Sequence, residues 1–279
     1  MLNDEYLANY LSNVNDVLHS IKDTLLYDAR SKQPIKNPLN QFGNKVFSQT
    51  DEDGITLEII RRIGIERGVF TEFGVGNGLE NNTLVLAALG WTGFWVDTTP
   101  PAINLKQVDK PRFAMMNRHV SMDNILDTMK QGLSYTSNDR PDFISFDFEG
   151  NDYYLIEKLL SNGYQPQVFL VEYNAKFMPP IEWKVEYSAD NVWSYDDYFG
   201  ASLMSFVKLF EQHGYFLACC NQFTGSNAYF IRDEHRDQFR DVPTDVMDIW
   251  MKPQYYLPRL YGHQSSPKTA ESILNKLNG

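Results

Sequence analysis

Apolar residues recur along this chain in two rhythms. Near the N-terminus, Leu7, Leu11, Val14, Leu18, Ile21 and Leu25 follow one another at alternating intervals of four and three. That spacing predicts an amphipathic helix, whose stripe either lies on its own domain or forms a short seam with a second copy. A second helix is predicted in "SQTDEDGITLEIIRRIG", where Ser, Thr and Asp precede the run Ile55, Leu57, Ile59, Ile60 and Ile63, and Gly64 closes it. Beyond it the rhythm shortens. The runs "GVFTEF", "TGFWVD", "RFAMMNRHV", "DFISFDF" and "QVFLVEY" read as strands, with "NNTLVLAALG", "SMDNILDTM" and "YYLIEKLLSNG" as helices between them. Short apolar strands alternating with helices predict a parallel sheet buried on both faces, a doubly wound α/β architecture.

One more helix, "ASLMSFVKLFEQHG", leads to "YFLACC" and "NAYFIR". The link between these two, "NQFTGS", is too short for a crossover helix, so the pair must be an antiparallel hairpin. The expected sheet has seven strands with the last antiparallel. On pattern the chain divides into a helical extension and linker (1–47, including the Pro- and Asn-rich "SKQPIKNPLNQFGNK"), a core domain (48–232) and an aromatic tail (233–279) that needs the domain to pack on.

Composition narrows the classes. The net charge is -11, which disfavours a general nucleic-acid binder. No segment reaches the roughly 20 apolar residues of a membrane span. Cys219 and Cys220 are adjacent, and no Cys/His spacing points to zinc, so two reduced thiols are expected. The first residues carry acids where a signal peptide carries bases, and a cytoplasmic location is expected.

Candidate chemistry begins at "VFTEFGVGNGLENNT". Gly74, Gly76 and Gly78 follow the first strand and precede a helix, where backbone must approach a ligand closely. Dinucleotide enzymes space their glycines as GxGxxG to seat a pyrophosphate; here the third glycine comes one residue earlier. Glu72, two residues before the loop, would repel a pyrophosphate and suits a cationic cofactor. Asp97, ending the second strand, can accept hydrogen bonds from ribose hydroxyls.

With these residues the chain, from about Ser48 to Arg232, resembles a class I S-adenosylmethionine-dependent methyltransferase, and is most similar to the FkbM-type family. The resembling blocks are "SQTDEDGI", "TEFGVGNGLENNT", "GWTGFWVD", "DFISFDFEGND", "VFLVEYN", "YFGASL" and "GYFLACCNQFTGSNAYFIRD". The resemblance implies a Rossmann-like seven-strand fold with an antiparallel last strand. It also implies methyl transfer, usually to an oxygen of a sugar or related natural product. By position it places Glu72, Gly74, Gly76 and Gly78 at the methionine end of the cofactor, Asp97 at the ribose, and Asp123 and Asn124 near adenine. Gln49 and the acids of "DEDGI" would lie at the cofactor's mouth.

Polar groups also gather at later strand ends: Asp147, Glu149, Asn151 and Asp152 after the fourth, Glu172 and Asn174 after the fifth. In an open α/β sheet these ends line the ligand crevice. Two readings stand for them. Asp147, Glu172 and Asn174 could ligate Mg²⁺ or another divalent cation that lowers the pKa of an acceptor hydroxyl. Alternatively, Asp147, Glu149 or Glu172 is a metal-free general base. Asp152, before "YYLIEKLL", reads as a helix start. His213 reads as a helix end, His119 as facing adenine, and His19, His235 and His263 as solvated.

The long aromatic loop "AKFMPPIEWKVEYSADNVWSYDDYFG" reads as a substrate lid, with Trp183, Tyr187, Trp193, Tyr195 and Tyr198 as a stacking floor. The partners expected are a small-molecule or glycan acceptor and, through the N-terminal helix, a homodimer, with no nucleic acid and no membrane. The competing functions are an NAD-dependent oxidoreductase and a non-catalytic methyltransferase-like partner protein.

Overall fold

The computed structural model describes residues 4–31, 35–136, 138–148, 150–189, 197–253 and 267–278. Its centre is one seven-stranded sheet: β1 (Val69–Phe73), β2 (Thr92–Asp97), β3 (Phe113–Asn117), β4 (Phe143–Phe146), β5 (Val168–Glu172), β6 (Tyr215–Cys220) and β7 (Asn227–Arg232). The order is β3-β2-β1-β4-β5-β7-β6. β1 to β5 run parallel, while β7 lies antiparallel between β5 and β6. This is the seven-strand α/β sheet expected from the sequence, with the hairpin inserted so that β7, not β6, meets β5. Among the described residues no helix is long and apolar enough to cross a membrane.

The helices are α1 (Asp4–Ser31), α2 (Glu52–Ile63), α3 (Leu84–Ala88), α4 (Ile125–Leu133), α5 (Asp152–Ser161), α6 (Leu203–Gln212), α7 (Val246–Ile249) and α8 (Pro267–Leu277). α2 ends as its sequence predicts: Gly64 adopts φ 82° and returns its N–H to the carbonyl of Ile60. The central strands β1, β2 and β4 are buried along their whole length, as their unbroken apolar runs require.

Two segments outside the strands complete the sheet. Residues 37–42, read as linker, pack on the edge strand β6. Asn37 donates to the carbonyl of Ala218 at 2.7 Å, and Asn40 to that of Cys220 at 2.8 Å. At the opposite edge α8 docks through Ala270, Leu274 and Leu277, all buried. Beside it Asn278 accepts from the N–H of Phe113, which opens β3, at 3.1 Å. The aromatic tail residues from Gln254 to Ser266 lie outside the described residues.

Candidate active site

The chain leaves β1 through Gly74, Gly76 and Gly78, with φ of 87°, 56° and 83°. These glycines answer to different demands. A Cβ at Gly74 would lie 1.7 Å from the carbonyl oxygen of Asp147, so this glycine lets the ends of β1 and β4 close up. A Cβ at Gly78 would press on the Trp95 ring at 3.2 Å. A Cβ at Gly76 would meet nothing within 4 Å. Packing thus accounts for the missing side chain at Gly74 and Gly78, while the Cβ position of Gly76 is open.

Glu72 is fully buried beneath this loop. Its carboxylate accepts from the main-chain N–H of Asn82 at 2.8 Å, from that of Thr83 at 2.9 Å and from the Thr83 hydroxyl at 2.6 Å. Trp95 Nε1 in turn donates to that hydroxyl at 2.8 Å. These bonds hold residues 81–83 in a turn, and α3 starts at Leu84, the first apolar residue of its run. Loss of solvation pushes the Glu72 carboxyl up to about 7, against the pull of its donors. Glu72 is thus an anchor of the glycine turn.

Asp97, at the end of β2, reaches the same loop. Its Oδ2 accepts from the N–H of Gly76 at 2.7 Å and its Oδ1 from that of Thr99 at 2.6 Å. The ribose candidate and the one glycine beside open space are therefore in contact. Asn124, placed near adenine by resemblance, is engaged locally: its amide donates to the carbonyl of His119 at 2.9 Å and its oxygen accepts from Ser121 at 3.0 Å. Asp123 beside it is exposed. The His119 ring meets the carbonyl of Ala189 at 3.2 Å, in the loop after β5.

Gln49 is exposed, but its carbonyl accepts from Lys45 Nζ at 3.1 Å. Lys45 also pairs with Glu80 at 2.7 Å, tying segment 44–50 to the glycine loop.

The acids of "DEDGI" do not line an open mouth: Asp51, Glu52 and Asp53 are all completely buried. Asp51 accepts from the N–H groups of Gln222 and Phe223 at 3.0 and 3.1 Å. Glu52 accepts from Asn221 and Asn227, both at 2.9 Å. Asp53 gathers the N–H groups of Val46, Phe47 and Ser48 and the Ser48 hydroxyl on one oxygen, at 2.6–2.9 Å. Its other oxygen has no partner among the described residues. Burial raises the Asp53 carboxyl to about 6, and its charge bears on Glu72.

At the later strand ends the register pairs Phe146 with Val171. One residue further, Asp147 and Glu172 stand level on neighbouring strands, both half-buried. The close approach of the Asp147 carbonyl to Gly74 sets this end of β4 next to the glycine loop. Glu149 lies outside the described residues. Asp152 accepts from the N–H groups of Phe148 at 2.8 Å and Gly150 at 2.9 Å, securing the turn into α5.

Asn174 donates to the carbonyls of Asp197 and Phe199 at 2.9 and 3.1 Å, fastening the end of the long loop to β5. Its Oδ1 is buried with no partner among the described residues. No group of three His, Cys, Asp or Glu side chains that could hold a metal occurs among the described residues.

In the long loop, Trp183 stacks on Phe177 at 4.4 Å and meets Tyr198 edge-on at 5.8 Å, while Tyr187 packs on Tyr154 of α5 at 5.6 Å. Trp193 and Tyr195 lie outside the described residues. His235, expected to be solvated, is half-buried and bonds Gln167 at 2.7 Å, and burial lowers its pKa.

The chain matches no protein-family model and no curated protein. Solved structures resemble it distantly. One is a Lactococcus lactis protein provisionally designated a hemolysin, at 12% identity and TM-score 0.37, covering 64% of this chain and 85% of that one. Another is the glycopeptide N-methyltransferase MtfA with S-adenosyl-L-homocysteine, at 13% identity and TM-score 0.34, covering 72% of this chain and 100% of that one. MtfA without that ligand matches at 13% identity and TM-score 0.32, covering 71% of this chain and 98% of the other.

Proposed function

We propose that the chain is an S-adenosylmethionine-dependent methyltransferase of the FkbM type, acting on a hydroxyl of a sugar or sugar-bearing metabolite. The observation that carries this reading is the meeting of Gly76 and Asp97. A positive-φ glycine whose Cβ position is empty borders open space, and a carboxylate able to take ribose hydroxyls stands against its N–H. The residues present fit the cofactor: the loop at Gly76 and Asp97 would hold its nucleoside part at the carboxyl ends of β1 and β2. S-Adenosylmethionine supplies an electrophilic methyl group on a sulfonium.

The chain's own part is alignment and proton removal. An alcohol is a poor nucleophile at neutral pH, and a carboxylate within reach of its proton increases its reactivity. Asp147 stands beside the glycine loop and level with Glu172, so either acid can orient an acceptor hydroxyl and take its proton. The aromatic face of Trp183 and Tyr198 offers a surface for a sugar ring. A divalent metal is the second reading, supported by the Oδ1 of Asn174, two positions beyond Glu172, which is buried with no partner among the described residues. Turnover that survives EDTA dialysis removes it.

The first test is calorimetry with S-adenosylhomocysteine, with NAD as control. Binding of the first and not of the second is expected; the reverse selects the oxidoreductase reading, and binding of neither leaves the non-catalytic one. Asp97→Ala is expected to weaken S-adenosylhomocysteine about 10- to 100-fold, the scale of a hydrogen bond to a charged group. Undiminished affinity removes Asp97 from the site. Asp147→Asn should keep that affinity and lower turnover on a hydroxyl acceptor by about 10²–10⁴; unchanged turnover transfers the role to Glu172.

A further inference from the structure

α1 is 28 residues long, which makes it roughly 42 Å of helix. Every residue of it whose side chain is described, from Leu7 to Thr24, is exposed. Its apolar stripe is therefore not laid on its own domain. Leu7, Leu11, Val14, Leu18 and Ile21 are 38–57% exposed along one seam, and Tyr10 and Val17 widen that seam on one side at 57% and 58%. A long helix in water gains little from propensity alone and owes most of its stability to packing of its apolar face.

The pattern of the stripe identifies the occupant. We propose that α1 is an assembly helix, through which copies of this chain pack as a helical bundle of four. The repeat is seven residues, the period at which like helices interlock. Leu11 and Leu18 hold one core position of that heptad, continued in sequence by Leu25. Leu7, Val14 and Ile21 hold the other. Leucine at the first with two β-branched residues, Val14 and Ile21, among the three at the second shifts preference from two strands toward trimers and tetramers. The third apolar row at Tyr10 and Val17 gives each helix a face wide enough for two neighbours.

Charge agrees. The chain carries -11, yet the positions flanking the stripe are Ala8, Asn13, Asn15 and Ser20, and Asp16 sits on the far side. Between Leu7 and Ile21, two acidic copies can therefore bring these faces together without opposing like charges; the same rows meet charge only at Asp4 and Asp28, near the helix ends, and at Lys22 beside them. Seven half-exposed apolar side chains per copy give a paired area on the order of 1,000 Å², the threshold of a specific interface. A bilayer is the poorer fit: α1 has only Lys22 and Arg30 as bases against Asp4, Glu5, Asp16, Asp23 and Asp28, whereas helices that lie on membranes are rich in Lys and Arg on the polar face.

The test is the molar mass of the full chain by sedimentation equilibrium at tens of micromolar, for wild type, for Leu11→Glu with Leu18→Glu, and for Asn9→Glu on the opposite face. Four times the monomer mass is expected for wild type and Asn9→Glu, and the monomer mass for the double variant. Thermal unfolding of the exposed-face variants should match wild type, since the substituted positions are exposed. A monomeric wild type overturns the proposal, as does an assembly that survives the double substitution. A wild type of twice the monomer mass overturns the four-helix arrangement. Co-sedimentation of a monomeric wild type with phosphatidylcholine–phosphatidylserine vesicles overturns it in favour of a membrane.

Discussion

Gly74→Ala is expected to unfold well below the melting temperature of the wild type, while Gly76→Ala is expected to stay folded and to bind S-adenosylhomocysteine more than about 10-fold more weakly. The two glycines are two residues apart and both have positive φ, so local conformation does not separate them. Alanine at either position incurs left-handed strain of about 1–2 kcal/mol. At Gly74 the new Cβ must also displace the Asp147 backbone, from which it would be 1.7 Å away. Backbone cannot swing aside as a side chain tip can. Separating β1 from β4 at the sheet's centre brings the expected loss to about 4 kcal/mol, a large share of a domain's stability. At Gly76 the Cβ enters empty space, so strain is the whole structural cost. The same methyl group stands where the ligand must come, and affinity should drop more than about 10-fold, the cost of a lost charged hydrogen bond. Calorimetric melting and S-adenosylhomocysteine titration of both variants read the two effects separately. Equal melting temperatures would mean the strand ends are looser than their separation implies. Wild-type affinity in Gly76→Ala would remove the ligand from the loop.

Stability is expected to rise as pH falls from about 8 to 5, against the usual behaviour of a protein rich in carboxylates. Burial raises Asp53 from 3.8 to about 6 and Glu72 from 4.5 to about 7. A carboxyl whose folded pKa lies above its unfolded one holds a proton that the unfolded chain has already released. Its contribution is therefore full below the unfolded value and is lost as pH climbs through the folded one. Each shift corresponds to about 3 kcal/mol at most, at 1.36 kcal/mol per unit. Together they move the melting temperature by on the order of 10 °C for a chain of this size. Glu72→Gln should flatten about half of the slope. A melting temperature that rises toward pH 8 in the wild type would mean that both acids are ionised in the fold and paired.

What was legible in the sequence followed from local rhythm. The seven strands fall within their apolar runs, most sharply where burial on both faces leaves an unbroken run, as in β1, β2 and β4; the half-buried edge strand β3 ends at Asn117, before its run does. The polar residues that open two helical runs lie outside the helices, held in turns by side chains: Glu72 bonds Asn82 and Thr83 ahead of α3, and Asn124 accepts from Ser121 ahead of α4. Segment 37–47 resembled a linker because the residues that cap a sheet edge are the same Asn and Pro that populate loops. The buried acids Asp51, Glu52 and Asp53 resembled a ligand-facing cluster because their partners, such as Asn221 and Gln222, lie some 170 residues away. The reach of Asp97 to the loop followed from topology, since β1 and β2 are neighbours. The division of labour among the three glycines did not, since it depends on which atoms stand opposite each Cα.

The bonds of Asn37 and Asn40 to β6, and of Asn278 to the start of β3, bear on what the protein becomes when its ends are lost. Both outer strands of the sheet are shielded by chain that lies outside residues 48–232. A fragment trimmed to that range would present two rows of unpaired backbone groups, each a template for strand addition by another molecule. Proteolytic clipping of either end would then seed insoluble, edge-to-edge stacked material from a domain whose interior had not changed.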